Sequence, residues 1–158
     1  MSINEEHAYI WSEWHRAAST SDQKALIDLY ASDAVLESPL VPAILSDKTE
    51  GILRGREEIK RFLDEGAKRR PNPLVRWYRT DKWLSAGNTL IWEYPRQTPD
   101  GDQLDILEVM EIHNGKIQYQ RIYWGWKGCS LIASSLVKNS RSESRITGIS
   151  VIPASSPE

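Results

Sequence analysis

Apolar residues recur at helical spacing through the first part of the chain and at every second position through most of the rest. Ala8, Trp11, Trp14 and Ala18 mark one face of a helix from Asn4 to Thr20. Ser21-Asp22 caps a second helix, whose inward residues are Ala25, Leu26, Leu29 and Tyr30. Ala31-Ser32-Asp33 ends it, and Ala34 to Glu37 reads as a short strand stopped by Pro39. Pro39 to Arg54 reads as an irregular loop. Gly55 then opens a third helix with Ile59, Phe62 and Leu63 on its inner face, ended by Pro71 and Pro73.

From there the period is that of strands. Leu74 to Leu84, Thr89 to Thr98, Gln103 to His113 and Lys116 to Trp126 predict four antiparallel strands. Gly87-Asn88, Thr98-Pro99-Asp100-Gly101 and Asn114-Gly115 supply the turns. Helices first and a long antiparallel sheet afterwards make an α+β layout. A cone-shaped curved sheet wrapped by three helices would enclose a pocket. From Cys129 the composition turns to Ser, Lys and Arg. The expectation is a domain over 1–128 and a mobile, Ser-rich tail over 129–158 that folding does not need. Within that tail only Arg145 to Ile152 has the pattern of an edge strand.

Composition narrows the partners. With 158 residues there is room for one domain, and a net charge of -2 gives no pull toward nucleic acid or an anionic membrane. No apolar run is long enough to span a bilayer, and Met1 to Glu6 lacks the order of a signal peptide, so a cytoplasmic protein is expected. Cys129 is the single cysteine, and no HExxH, CxxC or glycine-rich phosphate loop occurs. Neither a metal nor a cofactor is expected. The chain has 7 Trp and 6 Tyr against 1 Phe, an excess suited to a pocket wall or an interface. Ile117, Tyr119 and Tyr123 alternate with Ile122 and Trp124, giving both faces of the last strand large residues. A homodimer through the outer face is therefore expected, with a small apolar molecule as the ligand.

The chemistry concentrates on Glu108. It stands among Leu104, Ile106, Val109, Met110 and Ile112 at strand spacing. A carboxyl facing inward among apolar residues either pairs with a cation or has a raised pKa, and raised-pKa carboxyls do proton chemistry. Counting back from the Pro99-Asp100-Gly101 turn sets Trp92 opposite Glu108 and Tyr94 opposite Ile106. Leu90, Trp92, Tyr94, Ile106, Glu108 and Met110 then share a face. Two registers are open on the other side. A two-residue Asn114-Gly115 turn puts Arg121 opposite Glu108, as an ion pair. A three-residue loop puts Gln120, Ile122 and Trp124 on the inner face instead. His15 on the first helix would be the group that titrates near neutral pH. Glu37 stands at a strand end near the cavity mouth. His7 and His113 read as surface residues.

Three segments in this order resemble the nuclear transport factor 2-like superfamily, in particular its SnoaL-like and ketosteroid isomerase-like members. They are Leu29 to Pro39, Gly55-Arg56-Glu57-Glu58-Ile59 with Phe62, and the hairpin from Leu104 to Trp124. The resemblance implies the cone and its pocket. It also implies that the isomerase's protonated acid falls on Glu108, its general base on Ser38 and its tyrosine on Trp14. Serine is no base unaided and an indole cannot exchange its proton, so the isomerase mechanism does not carry over. What carries over is a cavity with one acid in it and Trp14, Ser38, Trp92, Tyr94, Ile106, Met110, Gln120 and Trp124 around it. Isomerisation, dehydration or cyclisation is the expected chemistry, with Glu108 assisted by His15 or Glu37. A ligand-binding or dimerisation module without catalysis is the alternative.

Overall fold

The computed structural model describes residues 1–69, 82–97 and 103–147. The chain runs α1 (Ile3–Thr20), α2 (Gln23–Asp28), β1 (Tyr30–Glu37), α3 (Val41–Ile44), β2 (Ile52–Arg54) and α4 (Arg56–Lys68). It continues through β3 (Trp83–Ala86), β4 (Thr89–Gln97), β5 (Gln103–His113), β6 (Lys116–Trp124) and α5 (Trp126–Thr147). The start of the expected strand at Leu74, the Thr98 to Gly101 turn and residues 148–152 lie outside the described residues.

Local chemistry sets the helix starts. Ser2 and Glu5 form a reciprocal capping box on α1, and the Asp22 carboxylate accepts the Ala25 N–H at 3.0 Å to open α2. The strands form one curved sheet in the order β2-β1-β6-β5-β4-β3. Neighbours are antiparallel except β1 and β6, which run parallel because β1 returns from the helical half to lie beside the last strand. The core lies between the inner face of this sheet and α1, α2 and α4. Ile10, Leu26, Tyr30, Leu36, Ile59, Trp92, Met110 and Ile117 are all buried there. Among the described residues, no helix is long and apolar enough to cross a membrane.

The two open registers of the last hairpin are resolved by a bulge. His113 pairs with Lys116 across a two-residue turn, with Asn114 and Gly115 both at positive φ, as such a turn demands. Ile112 pairs with Ile117, yet Glu111 pairs with Tyr119, so Gln118 is an extra residue in β6. One inserted residue turns every following side chain to the other face. Gln120 therefore sits opposite Met110, Ile122 opposite Glu108 and Trp124 opposite Ile106. The turn belongs to one alternative and the faces to the other.

Four expectations are corrected. Tyr30 is not part of a helix face but the first residue of β1. The stretch from Pro39 to Arg54 is not uniformly irregular, since it holds α3 and β2. His7 is not a surface residue: it is 1% exposed and shares a 2.7 Å hydrogen bond with Ser85 of β3. Cys129 to Thr147, expected to start a mobile tail, lies in a helix that begins at Trp126, the residue expected to end the last strand, and Arg145 lies in that helix and not in a strand. The signal was diluted by serines, which bond back to carbonyls four residues earlier at Ser134, Ser135 and Ser142 and so sit in the helix after all. Gly128 lets α5 pass against β6, because a Cβ there would lie 2.6 Å from the Trp124 ring.

Ile132 of α5 is 6% exposed, whereas Trp126 is 87% exposed. Ile132→Ala should cost about 2 kcal/mol in urea unfolding, the low end for a buried aliphatic truncation. Trp126→Ala should cost less than about 0.5 kcal/mol. No loss for Ile132→Ala would return α5 to the status of a dispensable tail.

Candidate functional site

Glu108 comes from the middle of β5, with Trp92 of β4 on one side and Ile122 of β6 on the other. Its side chain is 1% exposed. Tyr94 donates its hydroxyl to Oε1 at 2.9 Å, and Gln120 donates its amide to Oε2 at 2.7 Å. Gln120 in turn accepts the Tyr30 hydroxyl at 2.5 Å. Tyr30, Gln120, Glu108 and Tyr94 thus form a buried chain of hydrogen bonds from β1 through β6 and β5 to β4.

Two opposed effects act on the carboxyl. Burial disfavours its charged form, while the Gln120 and Tyr94 bonds and the positive charge of Arg96 favour it. Burial prevails, and the pKa is raised to about 7. Near neutral pH the group is poised between acid and base. The ion pair with Arg121 does not form. Arg121 lies opposite Val109 on the other face, 3.4 Å from Glu111 and over the Tyr119 ring.

An aromatic wall adjoins the carboxyl. Trp14 of α1 packs edge-on against Trp92 at 5.3 Å and Tyr94 at 5.1 Å. His15 lies 5.6 Å from Trp92 and 6.3 Å from Tyr94 between ring centres. Its Nδ1 donates to the Trp11 carbonyl at 2.7 Å, which fixes that tautomer and leaves the lone pair on Nε2. Burial lowers the His15 pKa, partly countered by that carbonyl, so the ring is neutral at pH 7. The indole N–H of Trp92 is buried without an acceptor among the described residues.

The fold thus gathers Glu108, Tyr94, Gln120, Trp92, Trp14 and His15. Ile106 and Met110 complete the same face, buried at 1% and 0% exposure. Ser38 and Glu37 stand elsewhere. The Ser38 hydroxyl accepts the Leu40 N–H at 3.2 Å and the Trp124 indole N–H at 3.4 Å, which ties β1 to β6. Glu37 is exposed on the outer face and accepts the Tyr119 hydroxyl at 2.8 Å. Both line a cavity of about 540 Å³ with Arg121 and Trp124, and Glu108 does not. Tyr30 is the member that sequence reasoning missed. Its alternation with Ala34 and Leu36 was the available signal. Among the described residues, no three His, Cys, Asp or Glu side chains converge as a metal site would need.

This chain belongs to the SnoaL-like domain family, whose sequence model matches residues 11–120. Solved structures share its fold. A SnoaL-like protein of unknown function from Burkholderia thailandensis is 20% identical, with a TM-score of 0.62 over 77% of this chain and 95% of that one. A putative ketosteroid isomerase from Kribbella flavida is 15% identical, with a TM-score of 0.57 over 77% and 78%. TerC, co-crystallised with polyporic acid, is 12% identical, with a TM-score of 0.63 over 80% and 97%. No curated protein matches the sequence. The family includes isomerases, cyclases and ligand-binding members.

The raised pKa makes a stability prediction. A carboxyl bound more tightly to its proton in the folded state adds stability fully present below its unfolded pKa of about 4.5. That stability is lost as pH rises to about 7. Glu108→Gln copies the protonated form, and amide reorientation at Gln120 can keep every bond. The variant should match the parent at pH 4 and exceed it by roughly 3 kcal/mol at pH 8, since each tenfold gain in proton affinity is worth ~1.4 kcal/mol. Urea unfolding at both pH values checks this. A variant much weaker than the parent at pH 8 would show that the ionised carboxylate holds the fold together.

Proposed function

We propose that the protein is an acid–base catalyst acting on a small, largely apolar molecule, by isomerisation, dehydration or cyclisation, with Glu108 as the proton carrier. One observation carries this reading: a fully buried carboxyl, held by two donors, whose pKa is raised to about 7. When Oε1 takes a proton, the Tyr94 bond can reverse. The carboxyl then donates to the phenol oxygen, and the phenol proton can be passed onward to a substrate. His15 Nε2 supplies a neutral base on the same aromatic wall, and the Trp92 indole N–H supplies a donor for a substrate oxygen. General acid–base catalysis of this kind contributes about 10²–10⁴-fold, so the substrate must already be activated, as beside a carbonyl.

A ligand-binding module without turnover is the second reading. Ser38 favours it, because the residue aligned with the isomerase's base is committed to Leu40 and Trp124.

The test starts from β,γ-unsaturated ketones and from polyporic acid, with turnover followed by absorbance and binding by tryptophan fluorescence. Catalysis should show an apparent pKa near 7 in kcat/KM, and Glu108→Gln should lose about 10²–10⁴-fold. Tyr94→Phe removes a donor that favours the ionised form, so the inflection should move to higher pH. Binding retained by Glu108→Gln, with no turnover by the parent, would establish the module instead.

We also propose that two copies associate through the outer face of the sheet, where Leu84 and Tyr123 are 70% and 52% exposed. Sedimentation at micromolar concentration should show a dimer that Tyr123→Arg converts to monomer. A parent that sediments only as monomer would remove this proposal.

A further inference from the structure

A cavity of about 280 Å³ lies where α5 crosses the helical layer. Ile44 of α3, Phe62 and Leu63 of α4, Trp124 of β6 and Ile132 of α5 give it apolar walls. Neither Glu108 nor any residue bonded to it lines the cavity. We propose that this cavity is a second binding site, for a small aromatic or alicyclic carboxylate of one or two rings.

Arg69 gives the site its charge preference. It is the one charged side chain on the lining among the described residues. Its Nη1 donates to the Ala43 carbonyl at 3.0 Å, which anchors the guanidinium between α4 and α3. Glu65, the acid one turn earlier, is bonded to Lys68 at 2.6 Å. Among the described residues, no carboxylate forms an ion pair with Arg69. A guanidinium presents five N–H donors in a fork that fits a carboxylate. The C-terminus of α4 carries a partial negative charge of about half a unit, which the full charge of Arg69 outweighs.

Gly66 gives the site its space. It stands inside α4, where glycine weakens a helix. A Cβ built on it meets nothing within 4 Å, so close packing does not require the glycine. A side chain there would enter the cavity. The volume lies just below the usual range for ligand pockets, which limits the occupant to one or two rings. The walls need α5, so the helix outside the family match at 11–120 is a functional part of this chain.

The probe is 2-naphthoate, compared with neutral 2-naphthylmethanol by calorimetry on the whole chain. The parent should bind 2-naphthoate about tenfold or more tightly than the alcohol. Gly66→Leu should lower 2-naphthoate affinity at least tenfold while Tm stays level or rises, because leucine is the better helix former. Arg69→Gln should erase the preference and leave binding of the alcohol unchanged. Glu108→Gln should bind as the parent does, which separates this site from the acid–base reading. The proposal is overturned by a parent that binds neither compound, by undiminished binding in Gly66→Leu, or by a preference that survives Arg69→Gln. Loss of binding in Glu108→Gln alone would also overturn it and would place 2-naphthoate in the acid–base site.

Discussion

Taking one carboxyl out of water is the constraint to which the interior of this protein answers. An ionised carboxylate with no compensation is among the costliest groups to bury. Here the cost is limited in two ways. Tyr94 and Gln120 donate to the two oxygens, and the group takes up a proton where the donors do not suffice, giving a pKa of about 7. Holding the proton that much more tightly corresponds to roughly 3 kcal/mol, at ~1.4 kcal/mol for each tenfold gain in proton affinity. That is a sizeable share of the roughly 5–15 kcal/mol by which a domain of this kind is stable. A fold gains nothing in packing from such a group, since a leucine would fill the same space. Packing alone therefore does not account for Glu108, and its burial, its two donors and its raised pKa are what the proposed acid–base reading rests on.

The shaping is visible in β6. With a regular hairpin, Arg121 would face Glu108 and neutralise it as an ion pair. The extra residue at Gln118 turns Arg121 outward to Glu111 and brings Gln120 inward. The Gln118 amide donates to Asp33 at 3.0 Å, so the inserted residue is tied down by β1. A single bulge thus exchanges a charged partner for a neutral donor and changes what the carboxyl can do. The same bulge points Trp124 inward, where it meets Ser38 and the α5 backbone at Gly128.

The chemical parts of the molecule are separated by depth. The carboxyl and its tyrosines lie under the aromatic residues of α1. Arg69 and the walls supplied by α5 lie at the end of the helical layer. Membership of the SnoaL-like family establishes the cone, but this fold carries catalysts and binding proteins alike.

Much of this was legible in the chain itself. Period-2 alternation and the glycine turns placed β4, β5 and β6. Counting from a turn set Trp92 opposite Glu108 and Tyr94 opposite Ile106, as observed. Those features are local, because the pleat fixes which side chains share a face over a few residues. What the sequence left open was non-local. Whether Arg121 or Gln120 met Glu108 depended on a bulge at Gln118, a residue bonded to Asp33 of β1, far away in the chain. Tyr30 joined the site because β1 runs parallel to β6, a pairing that no spacing within either strand announces. The α5 helix was hidden because serine-rich composition lowers helix propensity, while burial of Ile132 against distant elements outweighs it. The sequence alone determined which side chains could do chemistry and on which strand they stood. The tertiary structure decided which of them meet, because desolvation and hydrogen bonding act between atoms brought together by the whole fold.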